Sequence, residues 1–207
     1  MINTLIERYP ALNGAKCDIE AALGMLIEAY EKGGKLLLCG NGGSAADCDH
    51  IAGELLKGFM SKRPLSEKKK AEMLRRCPEL GDDTLSALQM GLPAVALHSA
   101  AAYNTAYSND VSAELVYAQA VLALGKEGDV LLAISTSGNS KNVLRACEVA
   151  KALGIKVVGL TGENGGKLKA VADVCICAPE AETYKVQELH LPVYHALCAA
   201  LEKHFFG

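Results

Sequence analysis

The chain has 207 residues, half of them hydrophobic and 22% charged, with a net charge of −3. That balance excludes a disordered chain, and its slight acidity argues against a nucleic-acid partner. No apolar run has the length of a membrane span, and Met1–Pro10 carries an acid without a long apolar core, so no membrane or signal segment is expected and the expected location is cytoplasmic.

In chain order, residues 15–32 place Ile19, Leu23, Leu26, Ile27 and Tyr30 at helical spacing, and Gly33-Gly34 ends that helix. Leu36–Cys39 reads as a short buried strand. It runs into Gly-Asn-Gly-Gly-Ser, where Ser44 is the expected cap of a helix carrying His50 and Glu54. Residues 58–91 stand apart: eight of the 21 basic residues fall between Lys57 and Arg76. This segment reads first as a solvated helical excursion, and secondly as a lid or arm bringing positive charge to an anionic ligand. Further apolar runs follow at Ala94–Leu97, Val130–Ile134, Lys156–Leu160 and Val174–Cys177, with helical stretches at 140–153 and 186–205. Short buried strands alternating with helices predict an α/β fold: a doubly wound, five-stranded parallel sheet in a single domain spanning 1–207. Ligands of such a sheet bind at the carboxyl ends of its strands. The eight cysteines form no Cys-x-x-Cys, and most lie in apolar segments, so they read as buried thiols in a reducing compartment.

Two loops at strand ends are built for anions. Ser135-Thr136-Ser137-Gly138-Asn139-Ser140 offers four hydroxyls in six residues just before a helix. A helix N-terminus adds unpaired N–H groups and partial positive charge, which suits a phosphate monoester. Asn41, Gly42, Gly43 and Ser44 form the second such loop. Neither is a Walker loop nor a dinucleotide fingerprint, because the required glycine and lysine spacings are missing. Ordinary capping explains either loop alone; two of them after buried parallel strands point to a phosphorylated ligand.

On a helix, His50 and Glu54 face the same way, as do Gln187 and His195 two turns apart. Spacing alone leaves each pair open to a plain ion pair or a hydrogen-bonded core histidine. It leaves His190 as an alternative to His195. Pro192 is expected to kink the last helix and re-aim Gln187 relative to His195.

Taken together, "CGNGGSAADCDHIAGEL", "GDVLLAISTSGNSKNVLRACEVAKALGIKVVGLTG", "QELHLPVYH" and the Ser108–Asp110 element resemble the phosphoheptose isomerases within the sugar-isomerase (SIS) superfamily. The resemblance spans most of the chain outside 58–91. It implies a flavodoxin-like SIS fold with an N-terminal helix, homotetramers with active sites at subunit interfaces, and an aldose–ketose isomerase, an intramolecular oxidoreductase. The implied reaction interconverts sedoheptulose 7-phosphate and D-glycero-D-manno-heptose 7-phosphate through an enediolate. It implies that Ser135, Thr136, Ser137 and Ser140 hold the phosphate, with Asn41, Gly42, Gly43, Ser44, Asp110 and Gln187 around the substrate. It implies Glu54 and His195 as the acid–base pair, and one zinc ion per subunit on His50, Glu54, Gln187 and His195. The chain departs from the family pattern at Ala100, Gln119, Tyr184 and in the length of 58–91. Two other readings keep the scaffold and change the function: a non-catalytic SIS protein that senses a sugar phosphate or accompanies a replication initiator, and an isomerase of another ketose phosphate.

Overall fold

All five apolar runs become strands of one parallel sheet in the computed structural model, which describes residues 1–207. These are β1 (Leu36–Cys39), β2 (Ala94–Ala96), β3 (Val130–Ile134), β4 (Lys156–Thr161) and β5 (Val174–Cys177), in the order β2-β1-β3-β4-β5. The helices are α1 (Ile2–Arg8), α2 (Lys16–Glu31), α3 (Gly43–Leu56), α4 (Glu67–Arg76), α5 (Asp82–Ala87), α6 (Ala101–Tyr107), α7 (Val116–Leu124), α8 (Lys141–Ala152), α9 (Leu168–Val171) and α10 (Thr183–Phe206). Every residue of β1 and β3 is buried, which is why they read as unbroken apolar runs: both faces of the sheet are covered.

Alternation along β1 divides the core in two. Leu36 and Leu38 face a large cluster completed by α1, α2, α3 and α10, whereas Leu37 and Cys39 face a smaller one completed by α7, α8 and α9. The strand order reverses between β1 and β3, whose residues pair Leu36↔Val130 to Cys39↔Ala133. The chain therefore leaves these two neighbours toward opposite faces, into α3 and α8, and opens a crevice at their carboxyl ends. Both Gly/Ser-rich loops line it.

The basic excursion forms α4 and α5. No residue of α4 is buried, and its cations meet local acids: Lys69 and Arg76 pair with Glu72, and Lys70 pairs with Glu67. Those contacts describe a solvated helix, the first of the two sequence readings. Its root is different. Arg63 is only 2% exposed and ion-paired to Glu202 on α10. The last helix runs continuously from Thr183 to Phe206 with Pro192 inside it.

Candidate active site

The first loop leaves β1 at Gly40. A Cβ on Gly40 would lie 2.8 Å from that of Ser44, so only glycine allows the helix to start this close to the strand. The N-cap is Gly42 (φ 56°, ψ −122°), not Ser44; Ser44 is already helical and buried. The expectation for Ser44 fails because the turn needs a left-handed residue, which glycine supplies, and the serine is thereby moved inside the helix.

The second loop closes on itself. Ser135 and Ser140 share a hydrogen bond of 3.0 Å, and the Ser137 hydroxyl accepts the Asn139 N–H at 3.2 Å. Gly138 (φ 65°) leaves no room for a side chain, because a Cβ would strike the Gly165 carbonyl. With its hydroxyl turned to Ser135, Ser140 gives α8 no side-chain cap; the Val143 N–H is met by Asn142 Oδ1 at 3.0 Å, and the Lys141 and Asn142 amides at the start of α8 have no protein partner. Thr136 and Ser137 keep solvent access while Ser135 is buried. The two loops are latched across the crevice. The Asn41 amide donates to Asn142 Oδ1 at 2.9 Å, and the Asn142 amide donates to Asn41 Oδ1 at 2.9 Å. Buried Tyr117 donates its hydroxyl to the Gly40 carbonyl at 2.6 Å. Neither Asn142 nor Tyr117 stood out in the sequence, since their partners lie 76 to 101 residues away.

Helices α3 and α10 run side by side, and their contacts order the remaining residues. Gln187 lies over Gly43, where a Cβ would collide with its amide. One stretch further along, His195 Nε2 stands 3.4 Å from His50 Nε2, and His50 Nε2 stands 3.2 Å from Glu54 Oε1. The other Glu54 oxygen, Oε2, accepts from Lys57 at 3.1 Å. At 1.5 Å of rise per residue, the eight positions from Gln187 to His195 put the loop end and the His–Glu end roughly 12 Å apart. His50, Glu54 and His195 thus meet, while Gln187 sits at the loop end. Asp110 lies on an exposed π-helical turn, Ser108–Ser112, and its carboxylate accepts from its neighbour Asn109.

The protonation of the cluster follows from its surroundings. Burial, helped by nearby His50, lowers the pKa of His195, against an opposing pull from Glu54. The lowered pKa favours the neutral imidazole. His190, the alternative to His195, is placed differently: it is fully buried, its Nε2 is 3.3 Å from the Thr161 carbonyl, and burial lowers its pKa to about 4. It belongs to the core.

With this geometry in view, likeness to known proteins decides the family. The SIS domain matches residues 7–84 and 84–162. The phosphoheptose isomerase of Helicobacter pylori strain P12 is 40% identical over 187 residues, covering 90% of this chain and 84% of that protein. The chain belongs to the phosphoheptose isomerase family of SIS-domain proteins. Solved structures of family members agree: the Francisella tularensis phosphoheptose isomerase superposes with a TM-score of 0.78 at 32% identity, covering 97% of this chain and 94% of that one. The Neisseria gonorrhoeae phosphoheptose isomerase superposes at 0.71, also at 32% identity, with 97% and 98% covered.

The donor set fits a zinc ion in part. Zn–N distances of ~2.0–2.1 Å give a tetrahedral site donor–donor edges of about 3.3–3.4 Å. The His50–His195 and His50–Glu54 separations are of that size. The protomer does not, however, gather three such side chains around one centre. Imidazole nitrogens and a carboxylate are the chemistry zinc prefers, while the Gln187 amide lies over Gly43, at the start of α3.

Proposed function

We propose that this protein is an aldose–ketose isomerase that interconverts sedoheptulose 7-phosphate and D-glycero-D-manno-heptose 7-phosphate. The observation that carries this reading is the convergence of His50, Glu54 and His195 at one end of a crevice whose other end is two latched anion loops. The ~12 Å between those ends matches an extended sugar phosphate lying along α3 and α10.

The phosphate is held by Thr136, Ser137 and the Lys141 and Asn142 amides at the start of α8, with Ser135 and Ser140 shaping the loop. Asn41, Gly42, Gly43 and Ser44 form the facing wall, and Gln187 reaches the sugar hydroxyls from above Gly43. Asp110 reaches the sugar only when a neighbouring subunit or substrate draws its turn inward. At the far end, Glu54 takes the proton from the carbon beside the carbonyl and returns it to the neighbouring carbon. His195, as a neutral imidazole, donates to the carbonyl oxygen and shuttles the hydroxyl proton between the two oxygens. No atom is gained or lost; two protons change places. His50, Glu54 and His195 are the residues that would hold zinc, with Gln187 as a fourth ligand after rearrangement. When bound, the metal supplies Lewis-acid stabilisation of the enediolate oxygen.

We also place the active sites at subunit interfaces of a homotetramer. An open, largely apolar groove of about 330 Å³, lined by Leu5, Tyr9, Phe59, Met60, Leu191 and His195, supports this reading, since it would leave Met60 and Leu191 exposed beside the reacting histidine in a lone protomer. A cytoplasmic setting suits the four buried, unpaired thiols of Cys39, Cys48, Cys147 and Cys198.

The enediolate route is tested by running the reaction in deuterium oxide. Deuterium is expected at the carbon beside the carbonyl in both recovered substrate and product. Conversion without any uptake, together with transfer of a label from one carbon to the next, would replace proton transfer by a hydride shift.

A further inference from the structure

The Ser135–Ser140 loop contains no cation: its residues are Ser, Thr, Ser, Gly, Asn and Ser. A phosphate monoester brings a charge of about −1.5 to −2 at pH 7. Hydroxyls and amide N–H groups meet it with partial charges only. The next residue is Lys141, the first of α8, whose backbone amide has no protein partner. Its ammonium is paired with Glu114 Oε1 at 2.8 Å. Glu114 follows the π-helical turn that carries Asp110, and its N–H donates to the Ser112 hydroxyl at 3.2 Å. The hydrogen bond and the charge of Lys141 hold the Glu114 carboxyl below the usual carboxylate range, so Glu114 is ionised at neutral pH.

Such a pair is easily exchanged. The Lys141 side chain is 74% exposed and that of Glu114 50%, and an ion pair this open to water holds weakly. A phosphate on the loop presents the same ammonium with up to about twice the charge of a carboxylate. Side chains of a helix lean toward its N-terminus, so the flexible four-carbon stem of Lys141 can swing from Glu114 to an anion seated on the amide of the same residue. Glu114 is not left alone by that move, because the charge of Arg145, one turn further along α8, also acts on it.

We propose that Lys141 is a further phosphate-binding residue, parked on Glu114 in the free protein and transferred to the phosphate when a sugar phosphate binds. Lys141 then strengthens phosphate binding, and Glu114 weakens it by competing for the lysine. An ion pair that only fastened the segment before α7 to α8 would behave differently: breaking it from either side would act in one direction.

The proposal rests on the reading of Ser135–Ser140 as the phosphate site but not on the isomerase reaction, so the probe is inorganic phosphate. It is titrated onto the full chain at neutral pH and about 0.15 M salt, where long-range fields are screened, and binding is followed by 31P NMR. Lys141→Met is expected to weaken binding about fivefold, and Glu114→Gln to tighten it about two- to threefold. In the double variant the gain from Glu114→Gln is expected to vanish, leaving the affinity of Lys141→Met alone. Weaker binding in both single variants, or unchanged binding in Lys141→Met, overturns the proposal. A gain that survives in the double variant also overturns it, since Glu114 would then act by plain repulsion rather than through Lys141. Wild-type protein that binds no phosphate overturns the reading of the loop, and this proposal with it.

Discussion

In the proposed mechanism Glu54 and His195 carry the chemistry, and each makes a separable prediction. Glu54→Gln keeps the size of the side chain and its contact with Lys57 but removes the base. Turnover is expected to fall at least about 1000-fold, while a non-isomerisable phosphosugar binds with affinity within about threefold of wild type. Retained activity measured in this variant removes Glu54 from the mechanism. His195 acts as a neutral imidazole, and burial beside His50 lowers its pKa below 6.5. Its charged form therefore appears only as the pH drops through that lowered value. The pH profile of kcat/KM is expected to stay flat from pH 8 to about 6.5 and to fall on the acid side of that. A limb that already falls between pH 8 and 7 contradicts the assignment. At this scale the sequence was informative about residue types and silent about partners. His50, Glu54 and His195 were visible as helix-face residues, but Tyr117 and Asn142 act through contacts across 76 to 101 residues that no local pattern records.

Among the elements, the root of the basic excursion matters more than its charged tip. Arg63 donates from Nε to Glu202 at 2.6 Å and from its two terminal nitrogens to the carbonyls of Leu55 and Glu54 at 2.8 and 3.1 Å. It thus satisfies the last carbonyls of α3, the helix that carries Glu54. The Glu202 carboxylate also accepts the N–H groups of Phe59, Met60 and Ser61. Burial works to raise its pKa, but the Phe59 N–H, the Arg63 guanidinium and the Met60 N–H outweigh that and hold it low. The left-handed φ of 43° at Arg63 is a backbone strain that this network sustains. Arg63→Met leaves the Glu202 charge buried without its cation. It is expected to cost about 3–5 kcal/mol in a denaturant titration; a loss under about 1 kcal/mol would show that the pair does not hold the two helices. The tip behaves otherwise. Lys69 and Lys70 are already engaged with Glu72 and Glu67, so converting Lys68, Lys69 and Lys70 to Glu is expected to leave KM for the sugar phosphate unchanged within about twofold. A clear rise in KM would revive the lid reading. The charge run in 58–91 was legible from the sequence; that its one buried cation is Arg63 was not, because the ion pair forms with a residue 139 positions later.

For the molecule as a whole, the sheet was the most legible feature. Strand-length apolar runs need both faces covered, and that requirement alone points to a parallel sheet between helices. The reversal between β1 and β3 then places both anion loops at one crevice without further information. What the sequence left open was how α3 and α10 register against each other, since that depends on packing of Cys48, Ile51, Leu55, Val193, Leu197 and Leu201 in one shared core. His190, in that same interior, sets a whole-molecule property. Its pKa of about 4 in the folded chain lies below the value near 6.5 of an unfolded histidine. The unfolded chain therefore binds the extra proton first as the pH falls. Stability is full above about pH 6.5 and is lost progressively toward pH 4, by about 3 kcal/mol from this residue. Unfolding midpoints in urea at pH 7 and pH 4.5 are expected to converge in His190→Gln; an undiminished acid loss in that variant assigns the sensitivity elsewhere.

The most direct test of the central claim is incubation of the purified protein with sedoheptulose 7-phosphate, with and without added zinc, following formation of heptose 7-phosphate. The site described above predicts turnover by the wild type in at least one of the two conditions and none by Glu54→Gln. No turnover by the wild type in either condition would contradict it, the more so with fructose 6-phosphate equally inert.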